Sequence, residues 1–264
     1  ELTVAGLLRG APVEVVRCRT IDVEGPASAE IVLEGDVERG DEGIEGPFGD
    51  HMGYYSLPEP FPVFHLTAMT MRRGAIYPSI LVGVPPQEDA WLGKASERLM
   101  LPGLRMAVPE LVDFDLPVAG AFQHCAIVSL RKAYPGHARK VMHALWGSGL
   151  LSLLKCVVVV DEDVDVHDYE QVFFHVCANV DPARDLVLTE GPLDQIDHAA
   201  DRSSYGGKLG IDATRKLPAE TNRPWPEPIT MTREVRDLVD RRWDEYGIPL
   251  RDATSSSERE RLPF

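Results

Sequence analysis

The chain is short of positive charge. It has 27 lysines and arginines against 42 aspartates and glutamates, a formal net charge of −15 over 264 residues. Phosphate backbones need a basic surface, so general nucleic-acid binding is excluded, and an anionic lipid surface would repel the protein. No apolar run approaches the ~20 residues that a membrane-crossing helix needs. Cysteine is scarce as well: Cys18, Cys125, Cys156 and Cys177 form no CxxC pair. This argues against a zinc site or a disulfide framework and for buried, reduced thiols in a cytoplasmic protein. The chain opens on ELTVAGLLRG, without methionine or a basic segment followed by a cleavage site, so no signal peptide is expected and the chain reads as cut from a longer one.

What remains is a globular composition, 44% hydrophobic and 26% charged, long enough for one large domain or two. Residues 13–19 and 29–37 are β-branched and are predicted strands. Residues 36–45 form an acidic, glycine-containing loop, and 62–72 with 76–82 form a hairpin turning at Arg73-Gly74. After Pro85-Pro86 the pattern changes. Helices are predicted over 88–101, 137–154 and 168–178, and strands over 122–130 and 156–160, the latter an unbroken apolar run that marks a strand buried on both faces. Residues 191–228 hold five prolines and read as loop, 233–246 as an amphipathic helix, and 251–264 as a polar, disordered tail. The expected fold is mixed α+β and α/β. It has a β-rich part over 1–84, an α/β domain over 85–228, and a carboxyl-terminal helix with a flexible tail over 229–264.

The most informative stretch is EGPFGDHMGYY, residues 45–55. Glu45 and Asp50 sit five apart in a segment with three glycines and a proline, so a turn rather than a helix sets where they point. Phe48, Tyr54 and Tyr55 make the surroundings partly apolar. Two carboxylates held in different environments can divide acid and base roles between them. An acidic surface turn has the same composition. His51 can steer a substrate, bond to a carboxylate, or simply face solvent.

Three further groups carry charge in suggestive places. Asp161, Glu162, Asp163, Asp165, His167 and Asp168 follow the buried strand, where α/β proteins bind ligands; a solvated loop with Asp168 capping the next helix is the competing account. Lys132, His137, Arg139 and Lys140 form a basic island that could hold an anion or be a solvated helix face. Lys208, in a glycine-rich stretch, could reach a phosphate, although no P-loop pattern surrounds it. Glu88, Lys94, Glu97 and Arg98 have the spacing of helical ion pairs, and Leu150, Leu151, Leu153, Leu154 and Cys156 that of core.

The 45–55 stretch resembles the signature segment of the UbiD decarboxylase family. The resemblance continues through PPQEDAWLGKASER (85–98), KAYPGHARKVM (132–142), VVVVDEDVDVHD (157–168), NVDPARD (179–185) and GGKLGIDATRK (206–216), in order and over nearly the whole chain. It implies a β-rich region that is part of an FMN-binding, split-barrel-like β-barrel, followed by an α/β layer. It implies reversible non-oxidative removal of CO2 from an aromatic or α,β-unsaturated carboxylic acid with prenylated FMN. It makes Asp50 the proton donor and Glu45 its partner in an ion network with an arginine. It matches Glu1 to a glutamate that binds a divalent metal, usually Mn2+, bridging to the flavin phosphate, with K+ as a further cation. Family members carry polar residues such as Gln and Thr before the position of Lys155; leucines stand here, so a cofactor contact from that stretch is not carried over.

The remaining metal ligands, the arginine and most of the phosphate cradle belong to an amino-terminal half not matched here. That half is expected from the same enzyme or a partner chain, within a homo-oligomer, dimer or higher. The alternative is a non-catalytic structural or assembly subunit of a UbiD-like complex. A metal-dependent hydrolase built on Asp161 is a third possibility.

Overall fold

A computed structural model describes residues 2–121 and 123–247. The chain divides into two compact units, 1–220 and 221–264. The first opens with α1 (Leu2–Arg9) and two short strands, β1 (Val15–Arg17) and β2 (Glu24–Pro26), which pair with each other. β3 (Ile31–Glu45) and β4 (Glu59–Met71) then form a long antiparallel hairpin. Glu34, the one buried residue of β3, accepts hydrogen bonds from the N–H groups of Arg19 and Thr20 and ties the preceding loop to the hairpin.

The expected barrel is not present. The described residues of this region make two separate two-stranded sheets, and a two-stranded ribbon has no further strand with which to close. Leu33, Val37, Ile44, Phe64, Leu66 and Met69 along the hairpin are exposed. The predicted acidic loop over 36–45 is the second half of β3, with its register broken only between Val37 and Glu42. Residues 76–82 are not a strand: β4 pairs with β3, and 76–82 join no sheet.

α2 (Glu88–Ala107) leads to a five-stranded sheet built from β5 (Leu111–Asp115), β6 (Cys125–Leu130), β7 (Cys156–Asp161), β8 (Leu186–Pro192) and β9 (Tyr205–Asp212). The order is β5-β6-β7-β9-β8, with β6, β7 and β9 parallel and the two edge strands antiparallel. α3 (His137–Trp146) crosses from β6 to β7. α4 (Tyr169–Asn179) and the short α5 (Pro182–Asp185) follow β7.

Alternation along the strands sorts the core into two layers. Ala126, Val128, Leu130, Val157 and Val159 pack with Val141, Met142 and Leu145 of α3 and Leu104 of α2. Ile127, Val158 and Val160 pack with Val164, Val166 and Val172 on the opposite face. The unbroken valine run is therefore buried on both sides, as its sequence requires. Each fully covered Val, Leu or Met here contributes about 1.5–3 kcal/mol.

α3 stops at Trp146, with Gly147 at its carboxyl cap, and 149–153 form a separate 3-10 turn, so the predicted 137–154 helix is two elements. β8 and β9 were not expected; β9 lies wholly in the stretch predicted as loop. All four cysteines are free thiols, but none is fully buried and Cys177 is exposed.

The second unit holds α6 (Arg233–Arg241), capped by the Thr232 hydroxyl, and a 3-10 turn at Trp243–Tyr246. Residues 251–264, predicted as a tail, lie outside the described residues. No described helix is long and apolar enough to cross a membrane.

Candidate active site

The signature stretch is a closed turn joining β3 to β4. Ser56 N–H donates to the Phe48 carbonyl at 2.9 Å, the Ser56 hydroxyl accepts from Phe48 N–H at 3.1 Å, and Gly49 bridges Tyr55. Inside it, Asp50 N–H donates to the Tyr54 carbonyl at 3.1 Å and the Asp50 carbonyl accepts from Gly53 at 3.0 Å. Gly53 sits at φ +81°, and a Cβ there would lie 2.5 Å from a methyl of Val84. Val84, in the segment before α2, thus packs against the turn, which is why only glycine serves at 53.

Asp50 and His51 are well covered, with side chains 11% and 12% exposed. The Asp50 Oδ1 atom accepts from Met52 N–H at 3.0 Å and lies 3.2 Å from His51 Nδ1. His51 Nε2 lies 2.9 Å from the Gln123 amide nitrogen, which also donates to Asp194 Oδ2 at 3.0 Å. Tyr54 packs at a tilt against His198, with centroids 4.3 Å apart.

Gln123 and His124 directly precede β6, Lys155 precedes β7, and Asp194, Asp197 and His198 lie between β8 and β9. The turn therefore docks on the amino-terminal ends of the parallel strands. Lys155 pairs with Asp197 at 2.5 Å. Burial raises the Asp197 carboxyl, but the Lys155 ammonium and the Ala199 N–H outweigh it and hold the acid below the usual range. His124 is buried with neither ring nitrogen hydrogen-bonded, and desolvation lowers its pKa.

Glu45 is placed differently. It is exposed at the end of β3, directly across from Glu59 of β4. Among the described residues no hydrogen bond or ion pair joins Glu45 to Asp50, and no lysine or arginine pairs with either. Two like charges facing each other across a ladder repel, so this end of the hairpin suits a cation. Phe48, Tyr54, Tyr55 and Leu57 are exposed beside the turn and fit the face of a flat ring. Exposed aromatic side chains beside a covered carboxyl group thus fit a flat ring system such as a flavin's. No described basic group near the turn offers a cradle for its phosphate. Glu1 lies outside the described residues.

The other predicted groups have structural partners. Asp161 and Asp163 both bind Arg215, Glu162 binds Arg131, and Asp168 caps α4. Burial raises the Asp161 carboxyl despite Arg215. Lys132 is buried against Glu220 and Asp212, at 2.5 and 3.7 Å. His137 stacks on Tyr134, and Arg139 donates to the Arg184 carbonyl. The carboxyl-terminal ends of the parallel strands are therefore closed by internal ion pairs. Lys208 donates to the carbonyls of Ser152, Leu154 and Pro192 and reaches no phosphate site. Lys94, Glu97, Asp115 and His167 form a compact cluster, and Glu97, Asp115 and His167 lie close enough to share a metal ion. The Lys94 ammonium already stands between the two buried carboxylates.

Sequence reasoning singled out Asp50, Glu45 and His51. It missed Gln123, His124, Asp194, Asp197 and His198. The signal available for the last three was an Asp-x-x-Asp-His pattern inside a stretch dismissed as loop.

A family model described as the 3-octaprenyl-4-hydroxybenzoate carboxy-lyase Rift-related domain matches residues 1–85, and one described as the C-terminal domain of the same carboxy-lyase matches 90–213. An uncharacterized protein of Archaeoglobus fulgidus is 53% identical over 93% of this chain and 51% of its own length. The UbiD-class enzyme HmfF of Pelotomaculum thermopropionicum, solved in complex with FMN, is 34% identical with a TM-score of 0.66, over 86% of this chain and 51% of that one. An evolved dimeric form of HmfF has been solved with prFMN. The vanillic acid decarboxylase ShVdcCD of Sedimentibacter hydroxybenzoicus, in closed form, is 25% identical with a TM-score of 0.83, over 93% of this chain and 52% of that one. The chain spans about half the length of the relatives it matches.

Proposed function

Because the chain belongs to the UbiD family of carboxy-lyases, we propose that it contributes the acid–base residues of a reversible, non-oxidative decarboxylation of an aromatic or α,β-unsaturated carboxylic acid. The cofactor is prenylated FMN. When bound, it supplies the ring system that labilises the substrate's carboxylate. Asp50 holds the proton that replaces the lost carboxyl group, and Glu45 acts in its ion network. Residues 1–84 contribute to the flavin-binding domain, 85–228 form the α/β domain, and Glu1 is a ligand for Mn2+ or another divalent metal.

The observation that carries this reading is the placement of Asp50. It is covered, fixed by backbone bonds on its turn, and rimmed by exposed aromatic side chains. A carboxyl group must be shielded to keep a proton near neutral pH, and those rings would complete the shield once a flavin lies against them. The arginine for Glu45 and the phosphate cradle come from an amino-terminal half, in the same enzyme or a partner chain, within a homo-oligomer.

Protein completed with that half and purified from a host that makes the prenylated flavin should release CO2 from its acid substrate. Asp50→Asn should abolish release while leaving flavin absorbance and melting temperature in place. Wild-type turnover by Asp50→Asn would refute the assignment. The exposure of Glu45 favours a second reading, a non-catalytic assembly subunit; that reading predicts an oligomer that neither holds the flavin nor turns over.

A further inference from the structure

Asp50 has two carboxyl oxygens, and the hydrogen bonds around it do not treat them alike. Oδ1 accepts from Met52 N–H and faces His51 Nδ1. Whether Nδ1 carries a hydrogen depends on what the other ring nitrogen does. His51 Nε2 faces the side-chain amide of Gln123 at 2.9 Å, and the same amide faces Asp194 Oδ2 at 3.0 Å. Which end of an amide carries the nitrogen is settled by its neighbours. Here the neighbour is a carboxylate. With the amide reversed, two oxygens would meet lone pair to lone pair at hydrogen-bond distance. The nitrogen end must therefore face Asp194, and its second hydrogen points at His51 Nε2. A ring nitrogen that accepts a hydrogen bond carries no hydrogen, so in the neutral ring Nδ1 carries it and donates to Asp50 Oδ1.

We propose that Gln123 and Asp194 are positioning residues that hold His51 as its Nδ1–H tautomer, so that Oδ1 of Asp50 is filled and Oδ2 is the oxygen that carries the transferable proton. The proposal rests on the reading of Asp50 as proton donor. It extends that reading to two residues, 73 and 144 positions downstream of Asp50, that touch neither carboxylate of the acid pair. His51 serves the reaction by orientation: an Asp50 free to rotate about its last bond would present its proton to the substrate only part of the time.

Nitrogen-15 labelling of the histidines, read by long-range proton–nitrogen correlation, reports the tautomer directly, with His51 assigned by the signal missing in His51→Gln. The protein should show Nδ1 protonated and Nε2 bare. Gln123→Met, which keeps the side chain's length but has no donor, should move His51 toward the Nε2–H tautomer. In the holoenzyme it should lower kcat roughly tenfold at unchanged KM, the loss of one net hydrogen bond. Asp194→Asn, a smaller change that frees the Gln123 amide to turn, should give a mixture of tautomers and stands in if Gln123→Met fails to fold. An Nε2–H tautomer in the parent protein, an Nδ1–H tautomer that survives both substitutions, or a tautomer shift with unchanged kcat would each overturn the proposal. Wild-type turnover by Asp50→Asn would instead defeat the donor assignment and leave the tautomer assignment standing.

Discussion

Lys208→Met tests how the sheet is held together. Lys208 is 4% exposed, and its ammonium spends one hydrogen on each of three carbonyls: Ser152 at 2.6 Å, Leu154 at 2.8 Å and Pro192 at 2.6 Å. It therefore binds β9 to the end of β8 and to the turn that precedes β7. Methionine fills the same space with no donor. The Leu154 carbonyl is then buried without a partner, a loss of about 1–3 kcal/mol, and the two partly covered carbonyls add less, for a total of about 3 kcal/mol. In a domain of this size that corresponds to a fall in melting temperature of roughly 6–12 °C.

The pH dependence sharpens the test. Burial pushes Lys208 down to about 8 from 10.5. Between those values the unfolded chain keeps a proton that the folded chain has released. Stability therefore rises with pH in that window, and below it Lys208 is charged in both states. The rise comes to about 3 kcal/mol at most, the ~2.5-unit gap between those two values at ~1.36 kcal/mol per unit. Urea unfolding of parent and variant at several pH values between 7 and 10.5 isolates this group by difference. A loss under 1 kcal/mol at pH 7, or a stability difference that is flat across the window, would refute the account.

Other substitutions probe other links. Lys216→Met takes away one of the cations facing Asp185 and Asp212, 3.4 and 3.2 Å from its nitrogen; Asp185 keeps Arg184 and Asp212 keeps Lys132, so the cost in urea unfolding should be about 1–3 kcal/mol. Asp168→Ala removes the cap that accepts the Gln171 N–H and should cost about 1 kcal/mol, visible in the same measurement. Gly53→Ala forces a left-handed residue with a Cβ against Val84; it should destabilise by roughly 1–3 kcal/mol and displace Asp50, so that crystals of the variant show the Asp50–His51 contact broken.

Much of the α/β layer was legible because its signals are local. Four consecutive valines cannot sit on a one-sided strand, and Asp168 before a helical pattern is a cap. The signature turn was legible from its glycines and from the family's motif. The failures share a cause: glycine-rich and acid-rich strands read as loops. In β9, Gly210 is demanded by packing, since a Cβ there would lie 2.4 Å from the Met142 sulfur of α3, and this close approach cannot be read from neighbouring residues. The second half of β3 is a strand because β4 lies beside it, although its own residues have low strand propensity. Where Glu45 and Asp50 sit was not legible. Asp50 sits on a turn that meets Gln123 through His51, and Glu45 stands in register with Glu59; Gln123 and Glu59 are both distant in sequence.

The strand order also governs how the protein can be made. β9 is synthesised last among the strands yet lies between β7 and β8, so a nascent chain has no complete sheet until residue 212 has left the ribosome. Until then the valine-rich flank of β7 is an open edge and β8 has nothing to pair with. Both are surfaces on which unfinished chains stick to one another. Messages truncated anywhere before that codon should yield insoluble protein, whereas loss of the second unit, 221–264, leaves the sheet whole.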